Sequence, residues 1–151
     1  VIHTPHSSIE NMPIQPSGAT GIKGFIELDE AYVPALKDLD GFSHLLLLYV
    51  FHQVKESQLL VKPFLDGETH GLFATRAPKR PNPIGLSVVR LLSVNGNRLE
   101  LENVDMLDSS PLLDIKPYVP DFDGEIRQLR LGWLQDKTNA AIAKKSDNRF
   151  S

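Results

Sequence analysis

The chain has 151 residues, 41% of them apolar and 23% charged, with a formal net charge of −3. That is the length and composition of one globular domain, and its mild acidity excludes a generally basic nucleic-acid coat. The absence of cysteine excludes a disulfide scaffold, a zinc–thiolate centre and a thiol nucleophile.

In chain order, Val1 to Thr4 reads as a short strand ended by Pro5. The opening VIHTPHSS has neither the basic start nor the apolar middle of a secretory signal, so none is expected. Residues 6 to 21, HSSIENMPIQPSGATG, carry the Ser, Pro and Gly of a long loop. Ile22 to Leu28 alternates as a strand, and Tyr32 to Leu39 suits a short helix or turn. The most apolar segment is FSHLLLLYVFHQ, Phe42 to Gln53. Its length and its Tyr-Val-Phe favour a strand over a buried helix. Its apolar core, Leu45 to Phe51, is too short to span a bilayer. Leu72 to Thr75 is expected as another short strand. Leu86 to Val94 and Arg98 to Val104 flank Asn95-Gly96, a strong hairpin signal. DIKPYVPDFDG closes the β region. From about Ile126 to Lys145, Leu129, Trp133, Leu134, Ala141 and Ile142 fall on one helical face, with Gly132 against it. KKSDNRFS is a polar tail. The expected fold is mainly β, a single-sheet antiparallel β-barrel with a C-terminal helix packed outside. Residues 1–120 form the barrel and 121–151 a helical extension and tail of the same domain.

Three segments carry candidate chemistry. ATRAPKRPNPIGLS, Ala74 to Ser87, sets Arg76, Lys79 and Arg80 on a backbone stiffened by Arg80-Pro81 and Asn82-Pro83, with Gly85 admitting close approach. Preorganised cations lose less entropy on binding an anion. The same segment reads equally as a barrel corner with solvated charges. The stretch from Asp105 to Tyr118 carries three aspartates and the turn Asp108-Ser109-Ser110-Pro111, which is an Asx-type turn or an exposed carboxylate lining a site. His52 and Gln53 end the apolar strand, where a barrel mouth binds ligands and where a satisfied core histidine also fits. The five histidines show no HxxxH or HxxEH spacing, so no metal is expected. GATGIKG lacks phosphate-loop spacing, and no GxGxxG or GxSxG occurs.

Together GFSHLLLLYVFHQ, FATRAPKRPNPIGLS and the region from Asp108 to Pro120, where Asp108-Ser109-Ser110 leads into PLLDIKPYVP, resemble the TsaA/TrmO family. Its members include the tRNA adenine-37 N6-methyltransferase. The resemblance runs from Val1 to about Pro120. It implies a β-barrel that binds S-adenosylmethionine, as a homodimer with sites at the subunit interface. It also implies methylation of N6 of threonylcarbamoyl-adenosine beside the anticodon of threonine tRNA. By the same resemblance the cofactor is held by Pro13, Ile14 and Gln15, where the family's Pro-Arg-Gln has lost its arginine. Further contacts fall on His52, Gln53, Arg76, Leu86 and the turn Asp108, Ser109, Ser110 and Pro111. His52 or Asp108 is then the candidate base, with Lys79 and Arg80 on the rim facing tRNA. A cytoplasmic location is expected, without membrane. Competing readings are transfer to another RNA or a small molecule, and a non-enzymatic S-adenosylmethionine sensor or RNA-binding module. The 7% aromatic content argues against a base-stacking platform.

Overall fold

The computed structural model describes residues 1–124 and 128–150. Six strands form one antiparallel sheet: β1 (Ile2–His3), β2 (Lys23–Glu27), β3 (His44–Val50), β6 (Ile84–Asn95), β7 (Arg98–Glu102) and β8 (Leu112–Pro117). Their spatial order is β1-β2-β7-β6-β3-β8. β4 (Leu60–Val61) and β5 (His70–Gly71) pair separately. The sheet curls into a half-barrel, and a bridge between Ile2 and Ser110 brings the approach to β8 onto β1 at the opposite edge.

The alternation along each strand dictates which face is covered. In β3, Leu45, Leu47 and Tyr49 point inward, and in β6 Val89 and Leu91 follow the same rule. β7 adds Leu99 and Leu101, and Ile2, Ile26, Val104 and Met106 complete the core. Asn95-Gly96 makes the expected hairpin, with Gly96 at φ +61° as the tight turn requires.

Two expected elements are different. Leu72–Ala74 is a single 3₁₀ turn, not a strand; the Thr75 hydroxyl donates to the Leu72 carbonyl and closes it. The C-terminal region is not a continuous helix. It breaks into 3₁₀ turns at Gly132–Leu134, Thr138–Ala141 and Asn148–Phe150. Positive φ at Gln128, Gly132 and Asp136 interrupts the helical pattern, and the Trp133 indole donates to the Ala74 carbonyl at 2.7 Å. The part of the expected helix at 125–127 lies outside the described residues. Among the described residues no helix is long and apolar enough to cross a membrane.

This C-terminal segment is a strap across the barrel mouth. Ser146 exchanges backbone hydrogen bonds with Asn11 and Met12, and Pro13 bridges to Lys145. Asp66 accepts from Lys137 at 2.7 Å and pairs with His70 at 3.0 Å, and these bonds, that to Lys137 foremost, hold its carboxyl far below the usual range. Trp133 stacks on His70 with ring centres 4.4 Å apart. At the chain's end Arg149 grips Asp147 and the Pro63 carbonyl, while Phe150 packs edge-on to Phe64.

Candidate functional site

The barrel mouth, the N-terminal loop and the strap enclose a cavity of about 800 Å³. That volume suits a ligand of nucleoside size or larger. Its apolar walls include Phe51, Leu86, Val88, Met106 and Leu107. Its polar lining includes Gln15, His52, Gln53, Arg76, Arg80, Asp105 and Ser110, drawn from separate stretches of the chain.

Most of the sequence-derived cofactor set meets here. Pro13, Ile14, Gln15, His52, Gln53, Arg76, Leu86 and Ser110 all line the cavity. Arg76 donates to the Gln15 side chain at 3.1 Å, which ties the stiff basic loop to the N-terminal loop. Pro13 is anchored by the bridge to Lys145, so the loop that lost the expected arginine is positioned by the strap. Ser110 is buried; its hydroxyl donates to the Leu107 carbonyl at 2.7 Å and stands 3.5 Å from His52 Nδ1.

Asp108, Ser109 and Pro111 are not among the lining residues. Asp108 accepts the Thr4 amide at 3.0 Å and the Ser109 hydroxyl at 2.9 Å, with His3 at 3.6 Å. Those contacts, the Thr4 amide first, keep its carboxyl ionised below the ordinary range. Asp108 is therefore a clip between β1 and the turn before β8, with Ser109 at φ +62°. The geometry does not place it where a base would act.

Arg80 also serves the loop itself. One guanidinium nitrogen donates to the carbonyls of Thr75 at 3.0 Å, Ala77 at 3.3 Å and Leu72 at 3.5 Å. Its charge lies over the exposed Phe73 ring, 5.6 Å from the centre. Lys79 does not line the cavity.

Asp105 is the residue that motif reading missed. It lines the cavity, and its carboxylate accepts the Ser87 hydroxyl at 2.6 Å. Ser87 is buried and in turn meets the Tyr49 hydroxyl at 3.1 Å. Since Ser87 spends its proton on the carboxylate, Tyr49 donates to Ser87. Burial pushes Asp105 up to about 6, against the pull of the Ser87 bond and the Arg76 charge. Burial, then the Asp105 charge, raises the Tyr49 phenol well above its usual value, so it stays a neutral donor. The signal in the sequence was a lone acid inside the apolar string Val104-Asp105-Met106-Leu107, the environment in which a carboxylate's proton affinity rises.

Residues 1–124 match the tRNA-methyltransferase O N-terminal domain. The chain belongs to that family. A probable S-adenosyl-L-methionine-binding protein of Pyrococcus abyssi is 48% identical over 151 residues, covering 99% of this chain and 81% of that protein. The tRNA (adenine(37)-N6)-methyltransferase of Mus musculus is 45% identical over 92 residues, 59% of this chain and 21% of the mouse protein. The crystal structure of TrmO from Pseudomonas aeruginosa superposes with a TM-score of 0.70 at 39% identity, covering 87% of this chain and 58% of that one. The chain thus spans under two thirds of both the mouse enzyme and the Pseudomonas structure. The TrmO fold accounts for the curled sheet without a dinucleotide fingerprint. The polar residues around the cavity named above all fall within the family match, whereas Trp133, Thr138, Ala141, Ser146 and Phe150, also in its wall, lie beyond it.

Proposed function

We propose that this protein is an S-adenosylmethionine-dependent methyltransferase acting on N6 of threonylcarbamoyl-adenosine at position 37 of tRNA. The observation that carries the reading is the convergence of Gln15, His52, Gln53, Arg76, Leu86 and Ser110 on one cavity in a TrmO-family chain.

The donor set suits the cofactor's chemistry. Arg76 offers a guanidinium to a carboxylate. Gln15, His52, Gln53 and backbone groups answer an adenine edge and sugar hydroxyls, and Phe51, Leu86, Met106 and Leu107 supply apolar contact. When bound, S-adenosylmethionine supplies an electrophilic methyl group on a positively charged sulfur. The chain's part is to orient donor and acceptor in line, to exclude water and to receive a proton.

On the same reading Lys79 meets tRNA phosphates, and Arg80 holds the loop that presents it. Threonine tRNA is the proposed substrate, and the cytoplasm the proposed compartment. Ile84 and Leu86 leave a short apolar strip exposed on one face of β6, and both border the cavity. That strip supports a homodimer with the site at its interface.

The test is incubation with methyl-labelled S-adenosylmethionine and tRNA carrying threonylcarbamoyl-adenosine, then nucleoside mass spectrometry. A methyl group on that nucleoside is expected, with loss on Arg76→Ala. Cofactor binding without transfer to this tRNA would overturn the substrate. No cofactor binding would overturn the reading as a whole.

A further inference from the structure

We propose that Asp105 is the proton acceptor in the methyl transfer, with Ser87 and Tyr49 as the positioning residues that hold it. This rests on the function proposed above and adds to it the group that receives the acceptor's proton.

Four side chains at or near the cavity are candidates to receive the proton. His52 stands at the exposed mouth beside Ser110. Asp108 is outside the lining and already holds the Thr4 amide and the Ser109 hydroxyl. Asp147 lines the strap side, but Arg149 grips both its oxygens at 2.6 to 3.0 Å. A base so neutralised has little tendency to take a proton. Asp105 remains. Ser87 is the side chain that bonds it among the described residues, and it does so through one carboxylate oxygen, the other donor acting on the group being its own backbone amide.

The groups facing it from each packed element favour this use. β3 presents the neutral Tyr49 phenol, β6 presents Ser87, and the basic loop presents Arg76. Among the described residues no second carboxylate acts on it, so no like charge traps a proton on it at rest. Arg76 and Ser87 keep it ionised near neutral pH, and burial keeps its proton affinity high enough to be useful, the balance that favours a general base. In the step itself, Asp105 accepts the proton that N6 loses as the N–C bond to the methyl carbon forms. The methyl–sulfur bond breaks and its electron pair stays on sulfur as a neutral thioether.

Single-turnover transfer at saturating S-adenosylmethionine, followed from pH 5 to 9 on tRNA carrying threonylcarbamoyl-adenosine, tests this in the wild type, Asp105→Asn and Ser87→Ala. Calorimetry with S-adenosylmethionine and a carboxyl ¹³C NMR titration of Asp105 supply readouts besides activity. The wild-type rate is expected to fall below a midpoint near pH 6. Asp105→Asn is expected to bind the cofactor within a few-fold of wild type but to transfer at least ~100-fold more slowly, without that acid limb. Ser87→Ala removes a bond that favours the carboxylate, so its acid limb moves to higher pH. Asp105→Asn at more than a tenth of the wild-type rate would overturn the role, as would a defect confined to cofactor affinity. So would an Asp105 carboxyl that titrates in the ordinary range. If Asp105→Asn fails to fold, an acid limb that does not rise in Ser87→Ala decides against the proposal. A wild type that binds cofactor but methylates no tRNA sinks the functional reading and this role together. An active wild type with an unaffected Asp105→Asn sinks this role alone.

Discussion

Gly85→Ala tests whether the Tyr49 ring is held where it sets the acid site. Gly85 stands directly opposite Tyr49 in the β3–β6 ladder. A methyl group added there would overlap Cε2 and Cζ of the ring and come within 2.9 Å of Cδ2. The ring has no easy retreat, being 4% exposed and packed in the main core. Its hydroxyl is also engaged by Ser87. Overpacking of this kind costs about 1–3 kcal/mol, and a broken buried hydrogen bond adds about 1. The expected loss is therefore roughly 2–4 kcal/mol, read as a fall in the urea midpoint with an unchanged slope. Backbone reasoning alone gives the opposite sign, since Gly→Ala at a compatible φ stabilises by about 0.4–1 kcal/mol. Tyr49→Leu as a second background isolates the cause, because without the ring the glycine substitution should cost under about 1 kcal/mol. A Gly85→Ala midpoint within about 0.5 kcal/mol of wild type would refute the reasoning, as would an equal cost in both backgrounds.

Asp105→Asn is expected to stabilise the fold at pH 8. The native carboxyl near 6 binds more protons than the unfolded one between about pH 4 and 6, so stability falls with rising pH across that window. The loss is on the order of 2–3 kcal/mol, and the two proteins should converge towards pH 4 in chemical denaturation. Asp66→Asn should loosen the strap, red-shifting the fluorescence of Trp133, the chain's single tryptophan. The carboxyl of Asp66 is held low, so the wild type should show the same shift only as the pH falls below the ordinary carboxylate range. Lys79→Ala should reduce the salt slope of tRNA binding by about one unit. Arg80→Ala should instead lower the melting temperature, because its guanidinium caps three carbonyls of its own loop. Equal salt slopes for Lys79→Ala and wild type would remove Lys79 from the RNA contact.

Strands with strict alternation or a strong turn could be read from the residues alone. The leucine–glutamate alternation of Arg98–Glu102 and the hairpin at Asn95-Gly96 lie where side-chain period and turn chemistry put them, whereas His44–Val50 was legible as a strand from its length and its Tyr-Val-Phe, its run of leucines having no period of two. Leu72 to Thr75 misled because a hydroxyl-closed 3₁₀ turn and a short strand share the same apolar residues, and only the Thr75 bond to Leu72 separates them. The apolar spacing after Ile126 misled for a different reason. Trp133, Ala141 and Phe150 do face the body of the protein, but from three separate turns. The polar ring of the site was legible as motif resemblance, residue by residue. Asp105 was not, since an acid between Val104 and Met106 looks like a solvent-facing residue of an alternating strand until Ser87 is seen bonded to it.

The strap gives the site a second wall. The polar groups that suit the cofactor sit on the sheet, the basic loop and the N-terminal loop, all inside the region shared across the TrmO family. The opposite wall is built from Trp133, Thr138, Ala141 and Phe150, beyond that region. It is fastened by Asp66–Lys137, by Trp133 to the Ala74 carbonyl and by Ser146 to the N-terminal loop. Each fastening ends on a segment that also borders the site: Pro63 to Leu65 precede Asp66, Thr75 follows Ala74, and Pro13 follows Met12. Movement of the strap therefore moves the mouth, with less effect on Ser87, which β6 carries, and on Asp105, which is bonded to it. Substitutions along the strap should accordingly alter acceptor affinity more than cofactor affinity, whereas those at Ser87 or Asp105 should change the rate of transfer before they change binding.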